Sequence, residues 1–326
     1  MTITVLPVDG DIYRKGNYFL QSFLNVGTMD KNGIMELRIQ VKKMTVSGEF
    51  LVFLGALFWS LNAPLIKFIE LDALLTCGMR SVIAGLFLMP FLRLRKLNIT
   101  PWLAVHLISH CCLCVSIVLA LRQTSAAIAI GMQYGSIFWL FLVNVLLAMR
   151  KGGKEAAGKL LTANRIIPIV LIAVGVIVFM LSGLEGSSMK GNLIALTESV
   201  SFALLTVSAK KSAGDNSLGL TALSNLFTGC FVFLFLSPQV SDVMTLGRQE
   251  WILILILGVI QVGLGYDFYN LGVNRTTPQK AAVIALWEMI LGPVWVAIFL
   301  QEYPGLLVCA GFVIIIAGIV LDARKN

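Results

Sequence analysis

Residues 165–183 read RIIPIVLIAVGVIVFMLSG, a run whose only formal charge is Arg165 at its edge. A helix rises about 1.5 Å per residue and a bilayer's hydrocarbon core is about 30 Å thick, so roughly 20 such residues cross it. Comparable runs occupy residues 50–69, 73–92, 102–121 and 126–148 before it, and 191–210, 218–237, 251–271, 278–300 and 305–321 after it. The spacing predicts an all-α integral membrane protein with ten transmembrane helices. Composition agrees, because 58% apolar and only 13% charged residues in a chain of 326 leave a soluble domain too little polar surface.

The formal charge of +8 does not indicate nucleic acid, since the basic residues sit at span ends rather than along one face. With the start of the first span in the cytoplasm, that side collects Arg38, Lys42, Lys43, Arg93, Arg95, Lys96, Arg150, Lys151, Lys154, Lys159, Arg165, Lys210, Lys211, Arg275, Lys280, Arg324 and Lys325. The other side receives Lys67, Arg122, Lys190 and Arg248. The positive-inside rule then predicts a multi-pass protein of the cell (inner) membrane with both termini in the cytoplasm.

Residues 1–47 form a mixed polar extension without the order of a signal peptide. Met44 opens a compact lead-in to the first span and is a candidate start of translation; a cytoplasmic arm is the equal alternative. Beyond the extension, weak internal similarity suggests duplication. Trp59 to Lys67 parallels Phe202 to Lys210, and Arg122 to Ala127 parallels Asn274 to Gln279. Repeats of five spans cannot insert the same way up, so residues 48–183 and 184–326 are expected as two inverted five-helix repeats, an arrangement that places a substrate site near the midplane between them.

Ala120 to Ala127, Arg80 inside span two, and Ala281 to Glu288 with Gln301 and Glu302 resemble the EamA-type transporters of the drug/metabolite transporter superfamily. The resemblance covers about residues 48–321. It implies ten helices around a central cavity, spans five and ten peripheral, and movement of amino acids or similar small metabolites, often outward. One departure stands out: the family usually places Pro directly after the span-nine Glu, where this chain has Met289 and a later Pro293.

Ionisable residues inside the hydrocarbon cost about 2.5–3.5 kcal/mol each on insertion scales, so those that occur need a partner or a task. Arg80 and Glu288 fall near the middle of spans two and nine, and Glu198 seven residues into span six. Arg80 and Glu288 either face the cavity, holding the carboxylate and ammonium of an amino-acid-like solute, or pair with each other across helices. Trp59 and Asn62, Gln133 and Tyr134, Asn225, Tyr269 and Asn270, and Trp287 supply candidate walls for the same pocket. Trp102, Trp251, Tyr266 and Tyr303, nearer span ends, read as interfacial anchors.

Span three carries His106, His110 and Cys114 at i, i+4 steps on one face. That stripe supports three readings: a soft-metal site, a polar cavity face including His110, or satisfied packing. One helix cannot close a tetrahedron of ligands, and no CxxC pair outside this span supplies the rest. The run Gly153 to Lys159 imitates a phosphate loop but has Leu160 where Ser or Thr is required. No cofactor is expected, uphill transport would draw on an ion or proton gradient, and the partners in view are a small solute, the lipid bilayer and a second copy of the chain. The alternatives to a metabolite exporter are a soft-metal exporter and, third, a membrane-embedded enzyme that would need a nucleophile and base from another helix. Pro64 and Pro293 mark either hinges or packing kinks.

Overall fold

The computed structural model describes residues 46–158, 160–182, 188–214, 216–236 and 240–325. The extension with its candidate start at Met44, and Lys159 of the basic loop, lie outside the described residues. Among the described residues, ten helices are long and apolar enough to cross a membrane: Gly48–Phe68, Ala73–Phe91, Pro101–Gln123, Ala126–Arg150, Ala163–Ser182, Met189–Ser212, Ser217–Leu236, Arg248–Val273, Val283–Leu300 and Leu306–Arg324. These are spans one to ten below, and no strand occurs among the described residues. The chain is an all-α, multi-pass membrane protein.

Short polar side chains start the helices. Asp72 accepts from the backbone N–H groups of Leu74 and Leu75 at 2.9 and 3.0 Å. Ser125, Ser188 and Asn216 do the same for spans four, six and seven. Each satisfies donors that a helix start leaves free, which matters most where lipid offers none.

Packing follows a pattern of pairs. Span three runs along span six and span one along span eight. Span one also packs on nine and span six on four, while three meets seven and two meets eight. The remaining major contacts join two to seven and five to ten. Small residues permit the close approaches, because apolar burial between helices gains little in lipid. The Gly131 position faces the ring of Phe179, and Gly311 faces the same ring from span ten. Spans five and ten stand at the edge of the bundle, with Ile167, Val170, Ile177 and Val313 exposed.

Spans two and seven end in a 3-10 turn, Met89–Phe91, and a π-helix, Val232–Leu236, and three further spans are interrupted along their length. Span one is helical over Gly48–Ser60, turns at Leu61 and resumes at Asn62–Phe68. Pro64 explains the break, since it has no N–H for the Ser60 carbonyl and its ring crowds that oxygen. Span four pauses at Tyr134 and Gly135, between Ala126–Gln133 and the helix that starts at Ser136. There the backbone tightens to i−3 bonds, Tyr134 N–H to Gly131 O at 3.2 Å and Gly135 N–H to Met132 O at 2.9 Å. Span eight widens into a π-helix over Ile256–Leu264, which carries Gly258 and Gly263, before returning to an α-helix at Gly265. By contrast, the helix Pro278–Leu300 runs through Pro293 without a break.

Candidate functional site

The interruptions in spans one, four and eight bring distinctive side chains to one level of the bundle. Asn62, just past the break in span one, accepts from Arg80 Nη1 at 2.7 Å. The other guanidinium amine donates to the Cys114 carbonyl at 3.4 Å, linking spans one, two and three, and Arg80 is only 4% exposed. Its Nε is buried without an acceptor among the described residues. At the span-four break, the Tyr134 hydroxyl donates to the Ala285 carbonyl at 3.0 Å and lies 3.5 Å from a Glu288 oxygen. Glu288 is half-buried. Glu198 of span six is fully buried and within electrostatic reach of both Arg80 and Glu288.

An aromatic wall completes the cluster. The Trp59 ring lies 4.6 Å from that of Tyr269 and 5.0 Å from that of Tyr266, centroid to centroid. Spans one and eight come this close because Gly55 and Gly265 face each other's helices: a Cβ at Gly265 would lie 2.7 Å from the Trp59 ring. Gly265→Val is therefore expected to displace Trp59 and cut solute transport at least tenfold, while Gly305→Val, where a Cβ meets nothing, leaves transport unchanged. Vesicle uptake of the two variants at matched expression checks this.

Several expectations from the sequence are corrected. Arg80 and Glu288 form no ion pair: the arginine is held by Asn62 and Cys114 and the glutamate by Tyr134. Trp287 is 45% exposed on the bundle's outer face, edge-on to Phe53, because successive helical residues point about 100° apart and Glu288 already faces inward. Tyr266, read as an interfacial anchor, instead packs on Trp59 within electrostatic reach of Arg80 and Glu288. Asn225 and Asn270 turn their amide nitrogens back to Thr221 and Tyr266 of their own helices. Gln133 is half-buried beside the span-four break.

His110 is 3% exposed and lies 3.0 Å from Thr228 Oγ1, between spans three and seven rather than on a cavity wall. His106 pairs with Ser208 at 3.2 Å, and Cys112 points out of the bundle. No group of three metal-ligating side chains occurs among the described residues. Sequence reasoning also passed over Ser81 and Gln261, whose buried oxygens have no partner among the described residues. Their signal is geometric: each sits on a span that faces the cluster.

The two ends of the bundle differ. At one, Lys67 pairs with Glu302 at 2.6 Å, and the second Glu302 oxygen accepts from the Ala126 N–H at 2.8 Å. Arg122 donates to the carbonyls of Ile69 and Leu71 beside it. This clasp ties the ends of spans one, three, four and nine and borders a cleft of about 520 Å³. At the other end a more exposed pair, Lys280 with Glu49 at 3.1 Å, joins spans one and nine.

Comparison with known proteins agrees with this architecture. Residues 189–322 match the EamA-like transporter family. The chain is 27% identical over 295 residues to the uncharacterized transporter YvbV of Bacillus subtilis (strain 168), a likeness that covers 86% of this chain and 93% of that one. A solved crystal structure shares the fold, with a TM-score of 0.56 at 17% identity over 86% of this chain and 99% of its own.

Proposed function

Since residues 189–322 form an EamA-like transporter domain in a multi-pass membrane protein, we propose that this transporter moves a small amino-acid-like solute, outward from the cytoplasm, by alternating access. The carrying observation is the placement of the Arg80 guanidinium and the Glu288 carboxyl with an aromatic wall at the interruptions of spans one, four and eight. Broken helices at mid-membrane are how transporters free backbone and side-chain groups for a solute. Arg80 offers its unpartnered Nε to a carboxylate, Glu288 an oxygen to an ammonium, and Trp59, Tyr134, Tyr266 and Tyr269 flank the carbon skeleton.

The contact pattern supports two inverted repeats, residues 48–183 and 184–326. Exchanging each span for the one five places along turns the three–six contact into eight–one, one–nine into six–four and three–seven into eight–two, while two–seven and five–ten map onto themselves. Each of these contacts is present. The Lys67–Glu302 clasp ties span ends together on the side assigned to the outside, beside the cleft of about 520 Å³, and rocking of the repeats would break it. No observation favours the soft-metal reading, because both span-three histidines are engaged by hydroxyls.

Titration with zwitterionic amino acids should change the fluorescence of the purified protein, and the change should disappear in Trp59→Phe. The corresponding amides and deaminated acids should bind at least tenfold more weakly. Equal binding of an amino acid and its amide would reject the role of Arg80.

The orientation proposed is that of a bacterial-type inner membrane with both termini cytoplasmic. In a background with the native cysteines replaced, Lys154→Cys should label only with membrane-permeant reagents in intact cells. Met244→Cys, 93% exposed between spans seven and eight, should label with impermeant ones. Labelling of both from the same side would refute the inverted arrangement, because spans five, six and seven separate them.

A further inference from the structure

Glu198 is 0% exposed, and neither of its carboxyl oxygens meets a hydrogen-bond donor among the described residues. Arg80, the cation within reach, directs its two terminal amines to Asn62 and Cys114 rather than to Glu198. A carboxylate enclosed in this way is costly unless a positive charge joins it. Glu288 differs, since it has the Tyr134 hydroxyl and partial exposure.

A line of exchangeable groups runs from the Glu49 end toward the level of Glu198. Spans three and six lie antiparallel with His106 opposite Ser208, Ser116 opposite Thr197 and Thr124 opposite Asn192, a register that sets Glu198 level with Ser116. On the Glu49 side of that level come His106 with Ser208, then His110 with Thr228, then Cys114, whose Sγ lies 3.7 Å from the His110 ring. Hydroxyls, thiols and imidazoles both donate and accept, and an imidazole can take a proton at one nitrogen and release it at the other. On the Lys67 side the line stops at a carboxamide. Thr124 donates to Asn192 Oδ1 at 2.6 Å and the Asn192 amide donates to the Phe179 carbonyl, a group that does not pass protons on.

We propose that Glu198 is a proton-binding site, separate from the solute contacts at Arg80 and Glu288, which exchanges its proton with water at the Glu49 end of the bundle through the seam of His106, His110 and Cys114. The step is a plain protonation: a carboxylate oxygen gains a proton drawn from water on that face, and no other bond changes. The charged and titratable groups facing Glu198 are Arg80 of span two and Glu288 of span nine. Of the helices packed against span six, span three carries His106, His110, Cys111, Cys112, Cys114 and, at its far end, Arg122; span four carries Tyr134, span five Arg165 at its far start, and span seven Cys230, exposed on the outer face. A proton there gives the carrier a means of drawing on a proton gradient, and its detection needs no solute.

The test uses the full chain in sealed liposomes of single orientation, with pH set independently on the two faces. Dicyclohexylcarbodiimide reacts with protonated carboxyls in apolar surroundings, and the adducts are located by peptide mass spectrometry. An adduct is expected at Glu198, declining about tenfold per pH unit once the Glu49-side pH passes its midpoint and indifferent to pH on the Lys67 side. Glu288→Gln, which removes a neighbouring carboxylate, should keep an adduct at Glu198 that still follows the Glu49-side pH, whereas His110→Phe, and independently His106→Phe, should delay its response to a pH jump. The proposal fails if the adduct follows the Lys67-side pH, if it is independent of pH on both faces, if only Glu288 is labelled, or if sodium suppresses it at constant pH where potassium does not.

Discussion

Glu288→Gln is expected to bring solute flux close to that of protein-free vesicles while insertion and detergent stability stay near normal. The amide retains the shape of the carboxyl and can still accept from Tyr134, so the contact seen at 3.5 Å survives in form. What disappears is the charge that an ammonium group would meet. A hydrogen bond to a charged partner contributes roughly 1.5–3 kcal/mol, about ten- to a hundredfold in affinity, and the low dielectric of the pocket places the loss at the upper end. Transport of an amino acid by Glu288→Gln at the wild-type rate would remove this residue from the site. Flux is to be read alongside the amount of folded protein in the membrane.

Arg80→Gln should be more disruptive. The guanidinium holds Asn62 of span one and the Cys114 carbonyl of span three, so its removal lowers detergent stability as well as solute affinity. Leaving a buried neutral acceptor without its donor costs about 1–3 kcal/mol. Selectivity separates the two effects. Carboxylate-bearing solutes should lose at least tenfold more affinity than the matching amines, whereas a merely structural role would weaken both alike. Arg80→Lys should not restore binding, since an ammonium cannot reproduce the fork that reaches both partners. Because Arg80 and Glu288 do not touch, the double mutant should show the sum of the single losses. Partial recovery of stability in the double mutant would show that the two charges pair after all.

The ten spans and their ends were legible because hydrocarbon thickness sets helix length, and nearly every described span lies within a few residues of its apolar run. Arg80, Glu198 and Glu288 stood out for a similar reason, as a charge at mid-membrane is expensive enough to be noticed without coordinates. Rotation about the helix axis was not legible. Almost every position in these spans is apolar, so no amphipathic stripe tells the lipid face from the pocket face, and Trp287 and Tyr266 were each assigned to the wrong surroundings. Helix breaks were partly legible. Pro64 does interrupt span one, but Pro293 does not interrupt span nine, and the π-helix of span eight carries no proline at all. Hydroxyl partners for His106 and His110 come from spans six and seven, about 100 residues away in the chain, which no local pattern could reveal.

The clasp at Lys67 and Glu302 shows how the family-like motif after span nine is used in this chain. Glu302 joins three segments at once, through its ion pair to span one and its acceptance from the first N–H of span four. Opening of that end requires these bonds to part together, whereas the Glu49–Lys280 pair at the opposite end is exposed and so contributes little by itself.

The most direct test of the central claim is solute flux in sealed liposomes containing only the purified chain, screened against radiolabelled amino acids, nucleobases and soft divalent metals. The account predicts saturable movement of one or more zwitterionic amino acids, competed by unlabelled amino acid but not by its amide, and lost in Glu288→Gln. Flux of amino acids no faster than in empty vesicles, together with saturable flux of a nucleobase or a metal ion, would contradict it.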